Sequence, residues 1–79
     1  MEVVLYTRRD CELCHEMELV IDQVLPRFEA TLKRVEIDGD GDLEAQFGLE
    51  VPVLFINGRK AFKYRCTARE LRKRLEREK

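Results

Sequence analysis

Tyr6-Thr7-Arg8-Arg9-Asp10-Cys11-Glu12-Leu13-Cys14 joins a short apolar run to the start of a longer amphipathic one. Upstream, Val3-Val4-Leu5-Tyr6 is continuously apolar, the pattern expected of a strand buried on both faces. Downstream, Leu13, Met17, Val20, Ile21, Val24, Leu25 and Phe28 recur at three- and four-residue intervals, which predicts one apolar stripe along a helix. Thr7 to Asp10 form the turn between them, so the helix carries Cys-x-x-Cys at its start. A helix N-terminus presents unpaired N–H groups and the positive end of the macrodipole. Both favour a thiolate over a thiol, and the thiolate is the nucleophile. Cys11, at the helix entry, is the expected nucleophile, and Cys14, one turn inside, the resolving thiol. Glu12 works against this, because a neighbouring carboxylate opposes the charge on a thiolate. In a chain with no visible export signal, this motif in a strand–helix–strand unit reads as a thiol–disulfide redox site.

The rest of the chain reads as scaffold. Pro26 removes a helical hydrogen bond and crowds the preceding turn, so the first helix should kink or end there. Leu32 to Asp38 is a second strand, with Val35 and Ile37 on its better-buried face. The intervening helix makes it parallel to the first. Asp38-Gly39-Asp40-Gly41-Asp42 has the start of a calcium loop, but Leu43 occupies the glycine position and Leu49 the glutamate position. A tight turn fits better, with Asp42 capping a short helix over Leu43 to Phe47 and Gly48 at its C-terminal cap. Val51 to Ile56 is a third strand that opens on Pro52. Asn57-Gly58 is a hairpin signal, and Arg59 to Tyr64 returns as a charged edge strand. Thr67-Ala68-Arg69-Glu70 is a capping box opening a last helix with Ala68, Leu71 and Leu75 on its apolar face. With 79 residues and no linker, repeat or low-complexity tract, residues 1–79 form one domain with a small core.

Charge is unevenly placed. Residues 1–58 hold five basic and thirteen acidic side chains, a net of −8; residues 59–79 hold ten and three, a net of +7. The basic tail either complements the C-terminal end of the last helix or meets an acidic partner. Nucleic acid is not the expected partner, since the basic region offers no stacking platform beyond Phe62 and Tyr64. Three cysteines are too few for a disulfide-stapled secreted scaffold. The N-terminus shows no signal-peptide pattern, and the longest apolar run, Val51 to Ile56, is too short to cross a bilayer. The expectation is a cytoplasmic protein whose thiols are reduced between turnovers.

Taken together, these residues resemble a known family. The order β-α-β-α-β-β-α, with Tyr-Thr-Arg-x-x-Cys-x-x-Cys at the first strand–helix junction and Val-Pro before the third strand, is similar to the glutaredoxin-like branch of the thioredoxin fold. The resemblance covers nearly the whole chain and rests on Cys11, Cys14, Pro52 and the Asn57-Gly58 hairpin. It implies an α/β fold with a four-stranded mixed sheet in the order 2-1-3-4 and three helices on its two faces. It also implies a cis peptide before Pro52, beside the nucleophile, with Val51 offering backbone hydrogen bonds to the substrate. Arg8 matches a basic position of the family, where it either stabilises the thiolate or is a solvated turn charge.

Three departures bear on the substrate. Glu12-Leu13 replaces the family's Pro-Tyr, and Glu50 stands where a threonine usually precedes Val-Pro. The paired glycines that let glutathione approach are here Tyr64-Arg65, so these two residues border a site expected to use glutathione weakly. The small glutaredoxin-like proteins of unassigned substrate are the closer match. The implied activity is thiol–disulfide exchange on a disulfide-containing protein or small-molecule thiol by a monomer. No organic cofactor is needed, only an external reductant, glutathione or the thioredoxin system.

Two residues stay outside this scheme. His15 completes Cys-x-x-Cys-His, the c-type haem attachment motif, but haem attachment implies export, and His15 is expected on the helix surface. Cys66 follows the fourth strand, and the strand order returns that strand to the edge where Cys11 lies. It is either a third thiol beside the site or a small core filler. A metal or iron–sulfur carrier using Cys11, Cys14, Cys66 and His15 is a rival reading, although their spacing matches no standard pattern. A redox-inert interaction module built on the basic last helix is another.

Overall fold

The structure is a computed structural model describing residues 1–79. Strand β1 (Glu2–Thr7) alternates cleanly: Val3, Leu5 and Thr7 are buried, while Val4 and Tyr6 are half-buried. Helix α1 (Glu12–Val24) follows, then β2 (Thr31–Glu36), α2 (Gly41–Phe47), β3 (Val53–Ile56), β4 (Arg59–Lys63) and α3 (Ala68–Arg77). The sheet order is β2-β1-β3-β4, with β1 parallel to β2 and antiparallel to β3, and β3 antiparallel to β4. This is the expected four-stranded mixed sheet.

Two unequal cores cover the sheet. On one face Val3, Leu5, Leu54 and Ile56 pack with Met17 and Ile21 of α1 and Leu71 and Leu75 of α3. On the other, Ile37, Phe47 and Val53 pack with Tyr6, Leu43 and Phe55. The Tyr6 and Phe47 rings stack with centroids 4.5 Å apart. The apolar run of β1 is therefore fully buried on one face only, since a single seven-residue helix cannot cover what two longer helices cover opposite. No helix is long and apolar enough to cross a membrane.

Local chemistry sets the element ends. At Pro26 the α-helix gives way to a 3₁₀ turn over Leu25–Arg27, because proline supplies no N–H for the α-helical ladder. Asp40, not Asp42, caps α2: its backbone is extended and its carboxylate accepts from the Leu43 N–H at 3.1 Å. Asp42 lies in the first turn, where its charge complements the dipole. Gly48 ends α2 in a right-handed conformation, φ −53°, and not in the left-handed one usual at that position. It is small for another reason, since a Cβ there would collide with the Glu44 carbonyl.

The sheet ends also differ in detail from the sequence reading. The second strand stops at Glu36, leaving Ile37 fully buried just beyond it. The third begins at Val53, because the Val51 N–H is held by the Phe47 carbonyl at 3.1 Å. Asn57 and Gly58 both have positive φ, 49° and 81°, as a type I′ hairpin turn requires. Opposite Leu54 and Phe55, β4 carries one extra residue, Ala61, between Lys60 and Phe62. Thr67 and Glu70 close the capping box in both directions, at 3.0 and 2.9 Å.

The turn before α1 is anchored across the sheet by Asp38. Its carboxylate accepts from the Arg9 N–H at 2.8 Å and faces the guanidinium groups of Arg8 and Arg9 at 3.6 and 3.8 Å. The Arg9 N–H is the main cause holding the Asp38 carboxyl below the ordinary carboxylate value, with Arg9 and Arg8 adding to it. A depressed folded-state value contributes stability above the ordinary value, which is lost as pH falls through the folded one. Urea midpoints are therefore expected to fall as pH drops below the ordinary 3.8 of Asp38. Asp38→Asn should flatten that limb, and an unchanged limb would show that this anchor does not set acid stability.

Candidate active site

β1 delivers the chain to the turn Arg8–Asp10, in which Asp10 takes a left-handed φ of 54° and redirects the backbone into α1. Cys11 is the N-cap, extended at φ −119°, ψ 108°. Its sulfur accepts from the Cys14 N–H at 3.1 Å, and its carbonyl accepts from the His15 N–H at 3.1 Å. A sulfur thus takes the capping role usual for serine or aspartate oxygens. That role aims a backbone donor at the position where a thiolate would carry its charge.

The two cysteines are not equivalent. Their sulfurs lie at disulfide distance with Cα atoms 5.2 Å apart, inside the range a disulfide spans. Cys11 is half-buried, whereas Cys14 is only 2% exposed. Of the two, Cys11 is the one reachable from outside.

A groove of about 770 Å³ opens beside Cys11 between the start of α1 and β2. Its charged lining comprises Arg8, Asp10, Glu12, Glu18, Arg34 and Glu36, with His15 exposed at the rim. Both arginines are already paired. Arg34 meets Glu18 at 3.0 Å and Asp22 at 3.3 Å. Arg8 donates to Glu44 at 3.2 Å and to the Gly48 carbonyl at 3.1 Å, besides facing Asp38. Arg8 therefore clamps the end of α2 to the turn before Cys11. Asp10, Glu12 and Glu36 have no ion-pair partner, which leaves the groove acidic.

Across the sheet end from this groove lies Pro52, buried, after a cis Val51–Pro52 peptide bond. The register sets Tyr6 opposite Val53, so Pro52 sits at the end of β1 from which Cys11 departs. Val51 is half-buried, and its N–H is spent on the Phe47 carbonyl, which leaves only its own carbonyl without a backbone partner. The Pro52 carbonyl accepts from the Tyr64 N–H at 2.9 Å. Tyr64 occupies a left-handed conformation, φ 69°, and its hydroxyl donates to the Leu49 carbonyl at 3.0 Å. The tyrosine therefore straps the segment Leu49–Val51 where paired glycines would leave the backbone open. Arg65 is exposed beside it and has no carboxylate partner. Glu50 does not present a free charge: Lys60 bonds it at 2.6 Å and holds its carboxyl below the ordinary value.

Cys66 stands two residues past Tyr64, at the same sheet end as Pro52. Its thiol is turned into the main core, 8% exposed, in a cleft with Glu16, Met17 and Val20 of α1. Burial, and then the charge of Glu70, push this thiol up to about 11, so it stays protonated at neutral pH. It is a free cysteine, and no three His, Cys, Asp or Glu side chains converge as a metal site would need. Sequence reading missed the Asp38–Arg8–Glu44 clamp and the exposed Leu49. The clamp has a sequence signal, since parallel pairing of β1 and β2 sets Thr7 opposite Glu36 and so brings Arg8 and Asp38 to one edge. Leu49 has none.

The mixed sheet with a Cys-x-x-Cys helix cap defines a thioredoxin-fold protein. A family model described as glutaredoxin-like domain (DUF836) matches residues 2–76, and the chain belongs to that family. Among solved structures, target protein XcR50 from X. campestris is 34% identical with a TM-score of 0.83, covering 95% of this chain and 96% of that one. Protein Ne2328 from Nitrosomonas europaea is 28% identical with a TM-score of 0.73, covering 89% and 85%. Thioredoxin 1 from Thermosipho africanus shares the fold at 17% identity and a TM-score of 0.73, covering 99% and 93%. No curated protein matches the chain in sequence.

Proposed function

We propose that this chain is a thiol–disulfide oxidoreductase that reduces a disulfide through Cys11 and Cys14. The Cys11 thiolate attacks one sulfur of the substrate disulfide. A Cys11–substrate mixed disulfide forms, and the other substrate sulfur leaves as a thiolate that takes a proton. Cys14 then loses its proton and attacks the Cys11 sulfur, releasing the second substrate thiol and closing the Cys11–Cys14 disulfide. Two electrons have passed from the dithiol to the substrate. An external thiol reductant returns them.

The observation that carries this reading is the inequality of the pair: a reachable Cys11 sulfur receiving a helix N–H, over a buried Cys14 at bonding distance. The acidic groove beside Cys11 and the Tyr64 strap over Leu49–Val51 both count against glutathione, an anionic peptide. Val51 and Pro52, with Tyr64 and Arg65 at their edge, would instead receive a substrate that donates to the Val51 carbonyl. Cys66, protonated and buried, is assigned to packing and takes no step.

The test is reduction of the oxidised protein by glutathione, in parallel with thioredoxin plus its reductase. Reduction by the thioredoxin system much faster than by glutathione is expected. Glutathione turnover typical of a dithiol glutaredoxin would overturn the substrate reading, and an inert Cys11–Cys14 pair the whole proposal. The metal-carrier reading has no converging ligand set in its favour.

A further inference from the structure

Helix α3 presents a cationic ridge that its own fold does not use. Leu71 and Leu75 turn into the core, while Arg69, Lys73 and Arg77 follow one another at i,i+4 spacing, all exposed. Arg65 and Arg72 stand nearby, exposed too. None of these five has a carboxylate partner. The cations of this region that do pair are Arg74 with Glu78 and Lys79 with Glu76. Complementing the C-terminal end of the helix accounts for Arg74 and Arg77 in the last turn. It does not account for Arg69, which lies in the first turn, where the macrodipole opposes a cation. The one acidic residue there, Glu70, is committed to the Thr67 N–H. Arg69–Lys73 and Lys73–Arg77 are moreover like-charge i,i+4 pairs, unfavourable to the helix.

We infer that this ridge is a docking surface for an acidic protein segment, a helix or extended strand carrying carboxylates at matching intervals. Arg69 to Arg77 spans about 12 Å along the helix axis, and i,i+4 glutamates on a facing helix repeat at the same interval as these cations. Nucleic acid fits less well. Arg69 to Arg77 contains no aromatic residue to stack a base, and Tyr64, the exposed aromatic beside Arg65, stands off its start. The ridge begins at the sheet end that holds Pro52 and Cys66 and runs toward the opposite pole. A segment seated on it therefore starts at the sheet end from which the Cys11 turn departs, where it would meet a disulfide substrate. That consequence for turnover rests on the redox reading; the binding itself does not.

The probe is a blocked alanine-based helical peptide of about 17 residues, long enough to hold a helix, with glutamate at every fourth position. Its lysine counterpart and an oligo-dT of similar length serve as comparisons. Amide shifts in ¹⁵N-labelled protein should concentrate between Arg65 and Arg77 with the glutamate peptide and be absent with the lysine one. Raising salt to physiological strength should weaken binding. Arg69→Glu/Lys73→Glu should raise Kd by about tenfold. Its melting temperature should change little, because Arg69→Glu suits the first turn and Lys73→Glu makes the pairing with Arg77 attractive while positions 69 and 73 stay like-charged. Its reduction of an uncharged small disulfide should be unaltered. The inference is overturned by no shifts at millimolar peptide, by shifts centred elsewhere, or by tighter binding of oligo-dT. It is also overturned if the double variant loses thermal stability, or if sedimentation shows the ridge engaged by the acidic half of a second copy. Loss of small-disulfide reduction in the unmodified protein would instead strike the redox proposal and leave the binding result standing.

Discussion

Replacing Cys11 by serine is expected to lower disulfide reduction on the order of 10³-fold or more, because a serine hydroxyl in the same capping position is a far weaker nucleophile at neutral pH. Cys14→Ser should behave differently. The first exchange is left intact and the second has no attacking sulfur, so a mixed disulfide between Cys11 and the substrate should accumulate and be visible by mass under non-reducing conditions. The basis is geometric: the Cys11 sulfur is reachable and receives the Cys14 N–H, while Cys14 is nearly inaccessible. Native alkylation of the reduced protein should follow the same order. Cys11 should label first and Cys66 last, since burial pushes the Cys66 thiol up to about 11 and leaves little thiolate. Faster labelling of Cys14, or a mixed disulfide accumulating in Cys11→Ser, would exchange the two roles.

Leu71→Ala is expected to be the most damaging single change outside the site. Leu71 is fully buried and ties α3 to α1 and to Leu5, Leu54 and Ile56 of the sheet. Truncating such a leucine costs about 2–5 kcal/mol, part from lost burial and part from the cavity left behind. A chain of this length commands roughly 4–12 kcal/mol in all, so the urea midpoint should fall by a large fraction and α3 should fray first. Leu49→Ala is the control. Leu49 is 93% exposed, and its loss should change stability by no more than about 0.5 kcal/mol. Similar losses from both variants would mean that α3 is not held by the contacts described.

Much of this could be read without coordinates wherever the relevant physics is local. Apolar spacing placed α1 and α3, Asn57-Gly58 placed the hairpin, and Thr67 with Glu70 placed the start of the last helix, because each signal acts within a turn or two of chain. The helix between β1 and β2 made those strands parallel, and the turn of Thr7 to Asp10 before its apolar stripe put Cys11 at a helix start. Boundaries were less legible. Asp40 and Asp42 carry the same cap chemistry two residues apart, and only the backbone conformation selects Asp40. Val51 was legible as strand by composition, yet its N–H belongs to Phe47, a contact decided by how α2 packs.

The charges divide in the same way. Residue identity alone established a Cys-x-x-Cys dithiol at a helix entry and a strongly cationic tail, since both depend on neighbours in sequence. Whether Arg8 serves the sulfur or α2, whether Glu50 repels a ligand, and whether Cys66 is a reagent or packing depend on partners 10 to 49 residues away. Arg8 lies against Gly48 and Glu44, Glu50 against Lys60, and Cys66 against Met17 because of the sheet order and the crossing of α1 with α3. Charge and burial act through space, so only the tertiary structure could decide them.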